Sequence, residues 1–119
     1  MPDDRTTISD LRQRIQQFVD ERDWRQFHRP KNLAMSIAIE AAELMEHFQW
    51  VDSAESHTRA FDAAHREKIA EEIADVCCYV LSLANAMELD LSDAVLRKLE
   101  KNARKYPADE FRGRSDKAQ

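Results

Sequence analysis

Two glutamates lie inside the most apolar stretch of this chain, and no basic residue is near enough in sequence to neutralise them. The stretch runs from Leu33 to Met45, and Glu40 and Glu43 are its only charges. No Lys or Arg occurs between Lys31 and Arg59. Carboxylates three residues apart share one helix face and repel each other, so burying them without a cation costs several kcal/mol or forces protonation. A bound metal ion is the simplest source of the missing positive charge.

The same arrangement occurs again downstream. Glu71, Glu72 and Asp75 precede a long apolar run, and no Lys or Arg occurs between Lys68 and Arg97. Glu72 and Asp75 are again three residues apart and project from one helix face. The two pairs together predict a helical protein built around a carboxylate metal site.

The acids follow the pattern Glu40-x-x-Glu43 and, after 28 intervening residues, Glu72-x-x-Asp75. If the two helices pack antiparallel, the four carboxylates converge on one point. Hard oxygen ligands suit Mg²⁺, and also Mn²⁺, better than zinc. The alternative is that these acids lie on a solvated surface, with Glu72 paired to Lys68 one turn away. Two such pairs embedded in apolar helices favour the metal site.

The composition favours long helices in a single domain. The 119 residues include one Gly and three Pro, and this scarcity of turn formers disfavours a many-stranded sheet. We expect one domain over residues 1–119, with its core at about 8–107 and a polar tail over 108–119. A net charge of −5 argues against a nucleic-acid or membrane-surface partner. Cys77 and Cys78 are adjacent, predict no disulfide framework and favour a reducing, cytoplasmic location.

Hydrophobic periodicity predicts an all-α fold, an antiparallel bundle of about four helices. Pro30 separates the first two helices, Pro107 ends the last one, and the polar segment 51–65 is expected to be a loop. The expected helices are Ile8–Trp24, Leu33–Trp50, Arg66–Glu88 and Ser92–Tyr106. Candidate N-caps precede three of them: Thr7 or Ser9, then Asn32, then Asp90 or Ser92.

The third of these helices carries too many apolar positions for one stripe. Between Ile69 and Met87 they occur on more than one side of the helix. A helix of this kind must be buried on more than one side, which a bundle this small cannot achieve within one chain. We therefore predict a homo-oligomer.

The residues around the acids resemble the MazG-like nucleotide pyrophosphohydrolases, in particular their dCTP pyrophosphatase branch. The mark of that family is Glu-x-x-Glu followed by Glu-x-x-Asp, and Glu40, Glu43, Glu72 and Asp75 match it in order. The likeness covers about Ile8–Pro107 and includes the segments ERDWRQFHRPKNL, EAAELMEHFQW, EEIADVCCYVLSLA and AVLRKLEKNARKYP. It implies an all-α cytosolic enzyme that hydrolyses a nucleoside triphosphate to the monophosphate and pyrophosphate. It also implies Mg²⁺ held by those four acids, and assembly into dimers or tetramers.

Other side chains can be given roles too. In such a reaction one carboxylate takes the proton of the attacking water; Glu43 is our prediction and Glu71 the competing candidate, and the sequence does not decide between them. The resemblance implies substrate-binding residues as well. The aromatic candidates could equally serve as ordinary core or interface packing. The residues predicted to bind substrate are Trp24, Trp50 and Tyr79 at the base, and Lys98 and Asn102 at the phosphates.

One position departs from the branch. Related eukaryotic enzymes carry a histidine in the first helix near the base, where this chain has Ile15, so a preference for cytosine does not follow. Our leading prediction is clearance of surplus or non-standard (deoxy)nucleoside triphosphates. Two alternatives stay open: a non-catalytic helical oligomer that binds nucleotide or a protein partner, and a phosphoribosyl-ATP pyrophosphohydrolase.

Overall fold

The computed structural model describes residues 1–118, and every regular element among them is helical. The all-α class is therefore confirmed. The chain forms two compact units, Met1–Glu88 and a second that begins at Leu89. In chain order the elements are α1 (Ile8–Glu21), a 3₁₀ turn (Arg25–Phe27), α2 (Pro30–Glu46), α3 (Ser53–Phe61), α4 (Ala63–Ala86), α5 (Leu91–Lys105) and α6 (Ala108–Phe111).

Helix α1 begins where its sequence predicts and ends sooner. The Thr7 hydroxyl accepts a hydrogen bond from the Asp10 N–H, and the Asp10 carboxylate accepts one from the Thr7 N–H, each at 3.0 Å. This reciprocal cap satisfies two N–H groups that have no partner inside the helix. The expected end at Trp24 is wrong, because Asp23 has a φ of 53°, in the left-handed region that a right-handed helix does not continue into.

Helix α2 begins at Pro30 rather than Leu33, so the expectation that Asn32 caps it is wrong. Proline has no N–H and a fixed φ, which suits the first position of a helix, and Arg29 before it is extended as expected. The Asn32 side chain instead donates to the carbonyl of Phe27 at 3.1 Å. The start of α2 is thereby tied to the 3₁₀ turn before it.

The segment 51–65 is mostly helical, and the prediction of a loop there is wrong. Asp52 accepts a hydrogen bond from the Glu55 N–H at 2.8 Å and caps α3. Asp62 accepts one from the His65 N–H at 3.3 Å and caps α4. The polarity of the segment indicated exposure to solvent, and a short surface helix meets that description as well as a loop does.

In the second unit, the Asp90 carboxylate caps α5 by accepting from the Asp93 N–H at 2.9 Å. Helix α6 lies within the segment that the sequence predicted to be a polar tail, so residues 108–111 of that segment are helical. The rings of Tyr106 and Phe111 pack edge to face with centroids 5.0 Å apart. This aromatic contact gives the short helix an apolar partner within its own unit.

Helix α4 is the central helix of the first unit, and α1, α2 and α3 all pack against it. Glu40 of α2 is near Asp75 of α4, whereas His47, further along α2, lies 3.9 Å from Glu72, earlier in α4. This reversed order indicates antiparallel packing. The antiparallel pair places the acids of α2 opposite those of α4.

The fully buried apolar core is small. It consists of Val19, Leu33, Ile69, Leu81 and Ala84. Large apolar side chains stay in solvent on the outer side of α2, where Met35 is 56%, Ile39 57% and Met45 70% exposed. Helix α4 is likewise not covered on all its apolar sides, since Ile73 is 53% exposed.

No helix among residues 1–118 is both long and apolar enough to cross a membrane. Cys77 and Cys78 are exposed and carry free thiols.

Candidate metal centre

Three carboxylates from two helices meet in the first unit. One oxygen each from Glu40, Glu43 and Glu72 lies within 4.8 Å of the other two. Glu40 and Glu43 are one turn apart on α2, and Glu72 faces them from α4. The structure therefore brings together three of the four acids that the sequence predicted to bind metal.

Asp75 does not belong to that trio at the same distance, but it lies beside it. It follows Glu72 by one helical turn, and its charge helps to raise the pKa of both Glu40 and Glu72. Its side chain also lines a neighbouring cavity. Its role as a fourth ligand stays a prediction.

The carboxyl groups of this cluster are poorly compensated. A hydrogen bond with Glu43, then burial, then the charges of Glu43, Asp75 and Glu72 raise the pKa of Glu40 to about 7. Burial, followed by the charge of Glu43, raises the pKa of Glu72. The Oε2 atoms of Glu40 and Glu72 are buried and have no hydrogen-bond partner among residues 1–118. Buried oxygens in this situation are expensive, so the site suits a cation.

The donor set fits a hard divalent cation. All three clustered groups offer carboxylate oxygen, the ligand that Mg²⁺ and Mn²⁺ prefer. Among residues 1–118, no Lys or Arg forms an ion pair with Glu40, Glu43 or Glu72. The sequence predicted that no nearby Lys or Arg neutralises these acids, and the fold of residues 1–118 agrees with that prediction.

A basic side chain, His47, also lies beside the cluster. Sequence reasoning gave it no role. Its Nε2 lies 3.9 Å from Oε1 of Glu72, and the pair is about four-fifths buried. Arg59 of α3 donates to the carbonyl of His47 at 2.9 Å and so supports the end of α2. The signal was present in the sequence, since His47 follows Glu43 by four residues and must share its helix face.

A cavity of about 370 Å³ adjoins the acids. Aromatic and aliphatic side chains from α1 and α4 form most of its wall, and Asp75 connects it to the acid cluster. Sequence reasoning identified Trp24 and Tyr79 as base-binding residues, and both line it. It did not assign a substrate role to Phe18. The wall includes Ile15, Phe18, Trp24, His28, Asp75 and Tyr79.

Three other residues were predicted to bind substrate. Trp50 lies in the turn after α2 rather than in the helix, is 85% exposed and does not line the cavity. Lys98 and Asn102 are four residues apart on one face of α5, in the second unit. Their phosphate-binding role stays a prediction.

A family model described as MazG-like matches residues 35–119 of the sequence. The chain belongs to this MazG-like family. It is 39% identical over 107 residues to dCTP pyrophosphatase 1 of Rattus norvegicus, covering 90% of this chain and 63% of that protein. It is 40% identical over 111 residues to dCTP pyrophosphatase 1 of Homo sapiens, covering 93% of this chain and 65% of that protein. The MazG-like chain thus spans less than two thirds of the length of these relatives.

The fold has a counterpart in a crystal structure. A pyrophosphatase from Archaeoglobus fulgidus DSM 4304 superimposes with a TM-score of 0.77 and 44% sequence identity, covering 84% of this chain and 92% of that one. The MazG-like helical architecture is therefore shared over nearly all of that protein.

Proposed function

We propose that this protein is a divalent-metal-dependent pyrophosphohydrolase that converts a (deoxy)nucleoside triphosphate to the monophosphate and pyrophosphate. The observation that carries the proposal is the meeting of Glu40, Glu43 and Glu72 within 4.8 Å. The adjoining cavity, which Trp24 and Tyr79 line, supports a substrate with an aromatic base. The relatives named dCTP pyrophosphatase 1 support the same substrate class.

The ion we expect is Mg²⁺, with Mn²⁺ as a substitute, held by Glu40, Glu43, Glu72 and Asp75. When bound, a divalent ion would neutralise these acids, draw in the phosphate oxygens and lower the pKa of the attacking water. A triphosphate carries several negative charges, so this acidic site can accept it only together with cations.

Within this mechanism, Glu43 is the residue that takes the proton of water. Its side chain is exposed, whereas Glu40 and Glu72 are half-buried and each keeps one oxygen out of solvent. Water adds to the α-phosphorus, the bond to the bridging oxygen breaks, and pyrophosphate leaves with the electron pair. The competing candidate Glu71 is also exposed, but it is not in the trio of close carboxylates.

The base is expected in the cavity. Trp24 and Tyr79 offer aromatic surface there, and stacking accepts any base. The proposed roles of Trp50 at the base, and of Lys98 and Asn102 at the phosphates, go beyond this cavity. Substituting these three residues and measuring KM for the nucleotide would test those roles.

We also propose that the working form is a homo-oligomer, a dimer or tetramer. The exposed apolar face of α2, formed by Met35, Ile39 and Met45, supports a second copy of the chain as its cover. A cytoplasmic location, where nucleoside triphosphates are abundant, completes the proposal.

The test is pyrophosphate release from a panel of nucleoside triphosphates and phosphoribosyl-ATP, with Mg²⁺ present. We expect hydrolysis of at least one nucleoside triphosphate and a large loss of activity in Glu43→Gln. Glu46→Gln is the matched control, because Glu46 is exposed on the same helix and outside the trio. Nucleotide binding without any product would favour a non-catalytic helical oligomer. Hydrolysis of phosphoribosyl-ATP alone would favour a phosphoribosyl-ATP pyrophosphohydrolase.

A further inference from the structure

His28 lies where two cavities of the first unit meet. One is the cavity of about 370 Å³ beside Asp75. The other, of about 250 Å³, lies on the side of Gln16, Arg29 and Asn85. His28 belongs to the wall of both, together with Val19 and Ser82.

The imidazole of His28 carries an unused polar atom. Its Nδ1 is buried and has no hydrogen-bond partner among residues 1–118. Most buried polar atoms find a partner, so an unpartnered one beside a cavity is available to bond to a ligand.

The position of this ring is well defined. Its plane lies 28° from that of Trp24, with centroids 6.4 Å apart. The backbone N–H of His28 donates to the carbonyl of Arg25 at 3.2 Å, which fixes the residue at the end of the 3₁₀ turn. The torsion that orients an imidazole is broad, so the ring can turn Nδ1 toward a ligand while the backbone hydrogen bond stays in place.

The cavity wall supplied by α1 has little with which to recognise the edge of a base. Ile15, Phe18 and Val19 are apolar, and Arg14 is exposed with its Nη1 on the sulfur of Met1 at 3.1 Å. A pocket of this kind sets specificity through a few placed polar groups. Ser82 and Tyr79 also bring hydroxyl groups to this wall, but Nδ1 of His28 is buried without a hydrogen-bond partner among residues 1–118, so it is the group we assign to the base.

We propose that His28 is a specificity-determining residue, which recognises the edge of the bound base by a hydrogen bond at Nδ1. The inference rests on the proposed function, since it places the base of the nucleotide in this cavity. In this arrangement the hydrogen bond to the base is made by the segment that connects α1 and α2. The face of α1 that includes Ile15 makes only apolar contacts with the base.

Three substitutions at this position separate hydrogen bonding from packing. His28→Phe keeps a flat ring beside Trp24 and removes both nitrogens. His28→Asn retains a polar atom near the place of Nδ1, whereas His28→Gln places one near Nε2. Ser82→Ala is a comparison variant, because it removes the other polar side chain shared by the two cavities. Gln17→Ala, at an exposed position outside both cavities, is the control and should leave the base ranking unchanged.

Two measurements are made on the full-length variants: kcat/KM for triphosphates of different bases with Mg²⁺, and quenching of tryptophan fluorescence by the corresponding monophosphates. We expect His28→Phe to reduce the ratio between best and worst base by about tenfold. His28→Asn retains more of that ratio than His28→Gln, and Ser82→Ala changes it less than His28→Phe does.

A base ranking in His28→Phe that stays within about twofold of the wild type overturns the inference. An equal ratio between best and worst base in His28→Asn and His28→Gln also overturns it. This second comparison tests the inference if His28→Phe fails to fold. Absence of hydrolysis in the wild-type protein would overturn the proposed function instead, and monophosphate quenching would still decide whether His28 distinguishes bases.

Discussion

A carboxylate oxygen of Glu40 lies within 4.8 Å of one of Glu43, one turn later on α2, and hydrogen bonding between these two groups is the largest cause of a Glu40 pKa raised from 4.5 to about 7. Burial and the neighbouring charges act in the same direction. The pKa of Glu72 is also raised, chiefly by burial. The metal-free fold therefore holds protons that the unfolded chain releases.

The first prediction concerns pH and stability without metal. Between pH 4.5 and about 7, the unfolded chain ionises Glu40 while the folded chain keeps it protonated. Stability from this group is complete below the unfolded pKa and is lost as pH rises through the folded one. We expect the Tm in excess EDTA, followed by circular dichroism, to fall over this range.

The control isolates the cluster from other titrating groups. Glu40→Gln should reduce the fall in Tm between these pH values, whereas Glu46→Gln should retain it. Mg²⁺ should raise the Tm more at pH 8 than at pH 5, because protons and the ion compete for the same oxygens. Identical slopes in the wild type and Glu40→Gln would show that this carboxyl group titrates normally.

The second prediction is that Glu43→Gln has opposite effects on activity and on metal-free stability. Losing the proton acceptor should lower kcat by about 100-fold or more. Removing one of three close carboxylates relieves repulsion, and should raise the free energy of unfolding in EDTA by about 0.5 kcal/mol. Kinetics with Mg²⁺ and urea unfolding in EDTA measure the two effects. A parallel loss in Glu46→Gln, or full activity in Glu43→Gln, would contradict the assignment.

Much of this site was accessible from sequence because its signal is local. The i, i+3 spacing fixes which acids share a helix face, and the long apolar runs around them made two packed helices the expected scaffold. The antiparallel order of α2 and α4 then brings Glu40, Glu43 and Glu72 together. The same logic places Tyr79 one turn after Asp75, on the wall of the cavity.

The wrong predictions concern features that the helical spacing of apolar and acidic residues does not encode. Segment 51–65 has the polarity of a loop, yet Asp52 and Asp62 act as N-caps and start two helices there. The end of α1 depends on a left-handed residue at Asp23, where no glycine marks it. The proposed role of His28 depends on which elements surround it, and no spacing within FHRPKN reveals that its Nδ1 has no hydrogen-bond partner among residues 1–118.

The third prediction concerns assembly. We expect a dimer or tetramer by sedimentation velocity at micromolar concentration, since the side chains of Met35, Ile39 and Met45 are more than half exposed in one chain. Ile39→Lys places a charge on this face and should shift the equilibrium toward monomer by about tenfold in dissociation constant. Gln17→Lys, at an exposed polar position on α1, should have no such effect. A wild-type protein that sediments only as monomer would contradict the proposal.

The fourth prediction concerns the polar contact that ties α1 to α4. Arg12 Nε donates to Oδ1 of Asn85 at 2.8 Å, and Nδ2 of Asn85 donates to the carbonyl of Arg12 at 3.1 Å, both part-buried. Arg12→Ala and Asn85→Ala should each lower the free energy of unfolding by about 1–3 kcal/mol, since the first leaves Oδ1 of Asn85 unpaired and the second leaves both the guanidinium and the carbonyl of Arg12 unpaired. The double variant should cost about 1 kcal/mol less than the sum of the two.

This pair also separates the two halves of the proposed site. Helix α1 brings Ile15 and Phe18 to the cavity, whereas the acids belong to α2 and α4. Loosening α1 should therefore raise KM for nucleotide while leaving Mg²⁺ affinity, measured by calorimetry, close to that of the wild type. Gln13→Ala is the control, because Gln13 is exposed and its side chain donates to the hydroxyl of Ser9 on the same helix, at 3.3 Å. Additive single substitutions, or an equal loss of metal and nucleotide affinity, would show that the contact does not act through the position of α1.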